Sequence, residues 1–175
     1  MRAAALAVPL AILTVAGGCK AAPSAPALRE ETALCKSVPQ MALEGRVTDA
    51  AAILSDEEEA RLSDRLARYE DRTRHQMVVA TTPGLNGISV ENFGTCLANR
   101  WGIGRKDHDD GILILVAPQD RQMRIATGLG MEKIFSDDKA LAVVRQMTPR
   151  FRQGDYAGGL STGIDAIAAQ TGDAP

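Results

Sequence analysis

The chain has 175 residues, 45% of them hydrophobic and 24% charged, a balance typical of one globular domain with additional segments. Its formal net charge of -2 gives no indication of a nucleic-acid partner or of polybasic binding to acidic lipid headgroups. Aromatic residues make up only 3%, which excludes stacking platforms for bases. The three cysteines and two histidines are scattered, which excludes a zinc site of the finger type.

Residues 1–18 are typical of a secretory signal peptide. Arg2 gives a positive start, and residues 3–18 carry no charge but are too few for a membrane-spanning helix of ~20 residues. The end of this segment, AGGC at residues 16–19, resembles the lipobox of bacterial lipoproteins. Its first position is occupied by Ala16, where Leu, Val or Ile is commoner. We therefore expect an exported protein, periplasmic or in the cell envelope, with a lipid on Cys19. An ordinary cleaved signal is the alternative.

Residues 19–44 are predicted to form a flexible tether, because the segment is rich in proline and alanine. If Cys19 carries a lipid, the remaining cysteines are Cys35, in the tether, and Cys96, in a helix of the domain. Because the periplasm is oxidising, these two form a candidate disulfide that would fix the tether on the domain. Two unpaired thiols are the alternative.

The periodic pattern of a folded domain extends from residue 45 to residue 170, followed by a short tail at 171–175. Ser55 and Glu58 have the spacing of a capping box, and they precede a helix with apolar residues at helical spacing. The other predicted elements, in chain order, are a strand at 75–82, a helix from 89 to about 102, strands at 111–117 and 122–127, and helices at 137–148 and 155–169.

The connections between these elements predict the fold class. Residues 111–117 (GILILVA) are apolar without alternation, as expected for a strand that is covered on both faces. The helical crossover makes this strand parallel to the strand at 75–82, whereas the turn at 118–121 makes a hairpin with the strand at 122–127. The sequence therefore predicts an α/β fold with a mixed central β-sheet, a parallel pair plus an antiparallel hairpin strand, sandwiched between α-helices.

Several short segments resemble the motifs of a known family in order and spacing. They are VTD at 47–49, LS at 54–55, WGIG at 101–104, DGIL at 110–113, AP at 117–118, DR at 120–121, RI at 124–125, GLGME at 128–132 and FRQGDY at 151–156. On these segments the chain resembles the TPM domain family, which includes a thylakoid-lumen protein linked to photosystem II repair and many bacterial envelope proteins. The resemblance implies a mixed sheet between helices. It also implies phosphatase activity, reported for some members, and calcium binding, reported for others.

Membrane attachment is where the sequence departs from many bacterial members of the family. Those relatives continue into a transmembrane helix and a glycine-rich tail, whereas this sequence ends at Pro175. We therefore expect the lipid on Cys19 to attach the protein to the membrane instead.

Carboxylates at one edge of the predicted sheet are the candidate metal ligands and catalytic groups, because no cysteine or histidine is placed as a nucleophile. Asp109 and Asp110 precede the central strand, although Asp110 could also serve only in a turn. The antiparallel partner of that strand ends so that Gly128 and Gly130 return to the same edge. Glycine allows close backbone approach and positive φ, and the helix that follows can direct amides at an anion.

Three more residues complete the candidate set. Asp138 begins the next helix, where it is either a metal ligand or an ordinary N-terminal helix acid. Asp49 can reach either edge of the sheet, because the extended residues that follow it span on the order of 20 Å. Arg124 matches the family and either holds a phosphate through two hydrogen bonds or forms a salt bridge across the hairpin.

Two functions compete for these residues. The favoured one is a non-catalytic or calcium-binding factor that interacts with envelope or membrane proteins, because no activated nucleophile or general base is identifiable. The alternative is a divalent-metal-dependent phosphatase acting on phosphomonoesters, with Asp109, Asp110 and Arg124 as catalytic groups. The predicted ion is Ca²⁺ or Mg²⁺, held by Asp49, Asp109, Asp110 and Asp138. Neither an organic cofactor nor a nucleic acid is expected.

Overall fold

The computed structural model describes residues 35–172. The predicted signal peptide, Cys19, the tether up to residue 34 and residues 173–175 lie outside the described residues. The strands are β1 (Val47–Asp49), β2 (Gln76–Thr81), β3 (Gly111–Ala117) and β4 (Gln122–Thr127). The helices are α1 (Asp56–Thr73), α2 (Val90–Trp101), α3 (Asp137–Arg152) and α4 (Tyr156–Thr171), with a 3-10 helix at Leu129–Met131. Across residues 35–172, none of the helices has both the length and the apolar character needed to span a membrane.

The four strands form one mixed sheet in the order β1-β2-β3-β4. Strands β1, β2 and β3 are parallel, and β4 is antiparallel to β3. The predicted α/β class and mixed sheet are thereby confirmed. Strand β1 was not predicted, because a strand of three residues is too short to show alternation and is defined only by its pairing with β2.

Strand β3 is buried along its whole length, as its unbroken apolar sequence predicted. Ile112 and Ile114 pack in one core cluster with residues of α1, α3 and α4. Leu113 and Leu115 point to the other face and pack with residues of α2. Among residues 35–172, the sheet therefore lies between one layer formed by α1, α3 and α4 and a second layer formed by α2.

Residues 35–44 belong to the layer of α2, which corrects the prediction that the flexible tether extends to residue 44. A disulfide joins Cys35 to Cys96 of α2. Val38 is 2% exposed and packs in the same core cluster as α2. The guanidinium of Arg100 donates hydrogen bonds to the carbonyls of Cys35 and Val38, at 2.9 and 3.3 Å. These contacts make the segment part of the folded domain.

The helix starts follow the predicted capping chemistry. Ser55 and Glu58 form a complete capping box at the start of α1. Ser89 accepts a hydrogen bond from the amide of Asn92 at 3.2 Å, and this caps α2. Asp155 accepts one from the amide of Gly158 at 2.9 Å and caps α4.

Helices α3 and α4 pack tightly as an antiparallel pair. A Cβ on Gly159 would lie 2.2 Å from Cε1 of Phe151, and a Cβ on Gly163 would lie 2.5 Å from Sδ of Met147. Helix α3 extends to Arg152, four residues beyond the predicted end, and contains Pro149 in its last turn. A proline inside a helix removes one amide hydrogen bond, and here the close packing on α4 outweighs that loss.

Replacing both cysteines in a C35S/C96S variant is expected to lower the free energy of unfolding by roughly 4 kcal/mol, because the disulfide links residues separated by 61 positions in the unfolded chain. Urea denaturation followed by the fluorescence of Trp101 measures the change. A reductant should lower the denaturation midpoint of the wild type and leave that of the variant unchanged. A wild-type midpoint that does not respond to the reductant would contradict the expectation.

Candidate functional site

The loop after β4 returns to the start of β3, as the sequence predicted. The amide of Gly128 donates to the carbonyl of Gly111, and the amide of Gly130 donates to the carbonyl of Asp109, both at 2.9 Å. A Cβ on Gly128 would lie 2.1 Å from the carbonyl oxygen of Asp109, and one on Gly130 would lie 1.9 Å from that of His108. Only glycine permits this approach. The positive φ of the region belongs to Asp109, at 48°, rather than to either glycine.

The amides of this loop are used inside the protein. Besides the donations of Gly128 and Gly130, the amide of Leu129 donates to Oδ2 of Asp109 at 2.9 Å. The glycines thus make close backbone contacts inside the protein. Their amides are not available to an anion, which corrects the anion-binding part of the prediction.

Asp110 is a buried carboxylate that the protein itself saturates with hydrogen bonds. It is 3% exposed. Its Oδ1 accepts the amide of Arg105 at 2.8 Å, and its Oδ2 lies 2.8 Å from Nε and 2.5 Å from Nη2 of the same arginine. Nδ1 of His75 lies 3.1 Å from Oδ2. Both oxygens are therefore occupied, and Asp110 holds residues 105–110 against the start of β2.

The pKa of Asp110 reflects two opposing influences. Burial, the largest single influence, raises the pKa. The hydrogen bonds from Arg105 and His75, together with the charge of Arg105, outweigh burial and lower the pKa from 3.8 to about 2. The folded protein therefore strongly favours the ionised form, whose partners are internal. A catalytic or metal-binding role for Asp110 stays a prediction, and it would require the carboxylate to give up some of these internal partners.

Asp49 lies at the other edge of the sheet. Its Oδ2 accepts the amide of Leu54 at 2.8 Å, and its Oδ1 accepts a short hydrogen bond from the hydroxyl of Thr81. Thr81 pairs with Val116, six positions beyond Asp110, so a strand length of about 20 Å separates the two carboxylates. Asp49 therefore cannot share a metal ion with Asp110.

The predicted metal ligands do not converge. Asp138 is exposed in the first turn of α3, and Asp109 bonds the amide of Leu129. Within residues 35–172, no group of three or more His, Cys, Asp or Glu side chains is arranged to hold a metal ion. The prediction of one metal site built from Asp49, Asp109, Asp110 and Asp138 is corrected on geometry.

A cavity of about 190 Å³ lies at this edge between α2 and the loop after β4, and we call it the rim cavity. Its charged lining residues are Asp109, Arg124, Glu132 and Asp137. Glu132 and Asp137 therefore line this edge of the sheet, where Asp110 and Asp138 were predicted to lie. The sequence signal for Glu132 was its place at the end of the GLGME motif, and no signal distinguished Asp137 from Asp138.

Arg124 lines the rim cavity and carries a buried hydrogen-bond donor that the described residues leave unused. Its Nε is buried and has no hydrogen-bond partner in the described part of the chain. Its Cδ lies against Gly94 of α2. The salt bridge across the hairpin, one of the two predicted roles, is not formed with any residue between 35 and 172. A guanidinium beside three carboxylates suits a small polar group that both accepts and donates hydrogen bonds.

These features define a small α/β domain in which a glycine loop folds onto the start of the central strand of a mixed sheet. The chain belongs to the TPM domain family, whose model matches residues 47–170. The predicted membership is thereby confirmed.

Solved structures show the same fold. The chain is 32% identical to the N-terminal domain of a protein from P. gingivalis, with a TM-score of 0.67, covering 77% of this chain and 88% of that one. For the N-terminal domain of the cg2496 protein from Corynebacterium glutamicum, the identity is 16%, the coverage 79% and 89%, and the TM-score 0.60. The BA42 protein of Bizionia argentinensis is 24% identical, with a TM-score of 0.61, and the match covers 67% of this chain and 81% of that one. No functionally curated protein matches the sequence significantly.

An Asp110→Asn variant is expected to lose on the order of 2 kcal/mol of stability near neutral pH, because it removes a carboxylate that is ionised more readily in the folded state than in the unfolded state. This stabilisation is fully present above the unfolded pKa. As the pH falls from about 5 to about 2, the wild type should lose this stabilisation, whereas the variant lacks the carboxylate that provides it.

Chemical denaturation at a series of pH values measures this difference. Asp107→Asn is the matched control, because it changes an exposed acid of the same loop. Equal stability of wild type and Asp110→Asn over the whole pH range would show that the buried ion pair does not stabilise the loop.

Proposed function

We propose that the protein is a non-catalytic binding factor of the bacterial cell envelope, which contacts a partner protein through the surface beside the rim cavity. The observation that carries the proposal is a set of large apolar side chains left in contact with water. Leu129 is 73% exposed, Leu141 is 48% exposed and Ile134 is 39% exposed. We call these three residues the apolar rim.

The apolar rim adjoins the rim cavity. Leu129 follows Gly128, which lines the cavity. Leu141 is one helical turn after Asp137, a second lining residue, and side chains four positions apart lie on the same face of a helix. Exposed apolar side chains beside polar ones are typical of surfaces that bind proteins.

The envelope location rests on the N-terminal segment together with the disulfide. Residues 1–18 have the pattern of a secretory signal, and Cys19 follows small residues as in a lipoprotein. The Cys35–Cys96 disulfide suits an oxidising compartment such as the periplasm. We therefore include a lipid on Cys19 in the proposal. It would attach the protein to the membrane and leave the domain free to meet a membrane-bound or periplasmic partner.

A photo-crosslinking amino acid in place of Leu129, in the full chain expressed in its own envelope, is expected to give a discrete crosslinked product. The same amino acid in place of Arg68, an exposed residue of α1, is the matched control and should give none. Electrophoresis of the irradiated membranes compares the two. Identical patterns at both positions, or no product at Leu129, would contradict the proposed binding surface.

A divalent-metal-dependent phosphatase acting on phosphomonoesters is the second candidate. It is favoured by the buried Nε of Arg124, which has no hydrogen-bond partner among residues 35–172, because a guanidinium in a cavity of this size is suited to holding a phosphate group. The carboxylates of Asp109, Glu132 and Asp137 also line the cavity but are not arranged as a metal site, so in this candidate the cation would have to arrive together with the ester.

An assay of the full chain on a phosphomonoester, with and without Ca²⁺ or Mg²⁺, separates the two candidates. The binding proposal predicts no metal-dependent turnover. The phosphatase candidate predicts turnover that requires the ion and falls at least ~100-fold in Arg124→Gln, because the residue would hold the transferred group. Arg145→Gln, which removes an exposed charge from α3, is the control. Ion-dependent turnover that survives in Arg124→Gln would exclude the site as described.

A further inference from the structure

A second cavity, of about 630 Å³, opens at the opposite edge of the sheet. It lies where β3 ends and β4 begins, beside the last turn of α3 and the first turn of α4. We call it the hairpin cavity. In open α/β sheets, the carboxyl ends of parallel strands are the usual place for a ligand, and the volume is in the range of small-molecule sites.

One wall of the hairpin cavity is apolar and held by packing. The rings of Phe151 and Tyr156 have centroids 5.4 Å apart, and Met123 of β4 lines the cavity beside them. Phe151 is held against α4 at Gly159, where any side chain would collide with the ring. The aromatic pair is therefore positioned by the junction of the two helices before any ligand arrives.

The charges that line the hairpin cavity are positive. Arg121 and Arg152 line it, and the lining contains no carboxylate. Neither arginine forms an ion pair with an acid between residues 35 and 172. Asp155, the acid beside Tyr156, is engaged with Arg150 at 2.7 Å. Asp120, which precedes Arg121, accepts the amide of Leu85 at 2.8 Å. Within the described residues, 35–172, the positive charge therefore lacks a counter-ion.

We infer that the hairpin cavity binds a small organic anion with an apolar body. A carboxylate or phosphate group of the ligand would be held by Arg121 and Arg152, whose guanidinium groups bind such anions through two hydrogen bonds. The apolar part would lie against Phe151, Tyr156 and Met123. This site is distinct from the rim cavity, because it lies at the other edge of the sheet and has the opposite lining charge.

Charge and apolar surface have separate roles in the proposed binding, and three probes distinguish the two roles. Decanoate carries both features, acetate carries the charge without the apolar body, and decyltrimethylammonium carries a similar body with the opposite charge. Calorimetric titration of the folded protein, at probe concentrations below micelle formation, measures the affinity of each. Decanoate is expected to bind at least about tenfold more tightly than either of the others.

The site is located by substitution and by NMR. An R121Q/R152Q variant changes two exposed side chains, so it should fold, and its affinity for decanoate should fall about tenfold or more. Arg145→Gln, a matched charge loss on α3 outside the lining, should bind as the wild type does. Amide chemical-shift changes on addition of decanoate should be concentrated in residues 116–123 and 148–156.

Three results would overturn the inference. Equal affinity of decanoate for the wild type and R121Q/R152Q would remove the role of the arginines. Equal affinity of acetate and decanoate would remove the role of the apolar wall. Shift changes concentrated around Leu129, Ile134 and Leu141 would place decanoate at the apolar rim instead. None of these results depends on whether the apolar rim binds a protein, so the two proposals succeed or fail separately.

Discussion

The burial of β3 on both faces is the constraint on which the rest of the structure depends. A strand of this kind must be covered on both faces, and the two faces are covered by different numbers of helices. In the described part of the chain, three helices cover one face and α2 covers the other. Residues 35–44 supply the missing cover, with Val38 in the core and Nε1 of Trp101 donating to the carbonyl of Met41 at 2.8 Å. The disulfide to Cys96 thus secures a structural layer, and the link from a lipid on Cys19 to the domain would consist of the residues before Cys35.

The same constraint explains the motif at the start of β3. A Cβ on Gly111 would lie 2.2 Å from the carbonyl oxygen of Ile103, so the chain that enters the strand packs directly on the preceding loop. Asp110 closes that loop by accepting hydrogen bonds from Arg105. An acid followed by glycine suggested a metal or catalytic site from sequence, because acids of such sites also occur at strand ends. Here the pair closes and packs the loop, whereas Nε of the nearby Arg124 has no hydrogen-bond partner within residues 35–172.

The parts of the fold that were predictable are those with a local physical signal. The capping box of α1, the unbroken apolar run of β3 and the turn before β4 all depend on neighbours in sequence. Strand β1 depends on pairing with β2, and the end of α3 depends on α4, so neither could be predicted locally. The edge reached by Asp49 depends on the path of the residues up to Ser55, which extended length alone does not determine. For the same reason the partners of Asp110 were not predictable, since His75 lies 35 residues away in sequence.

Strand β4 is the element that the two cavities share. Side chains alternate along it, so Met123 lines the hairpin cavity and Arg124 lines the rim cavity on the other face. Communication between the cavities would require β4 to have two arrangements. Its six residues pair with β3 from Gln122 to Thr127, and a shift of one residue would exchange the buried and exposed faces of the strand. A strand with one permitted register has no second state for a ligand to favour, so we regard the two cavities as independent surfaces of one rigid sheet.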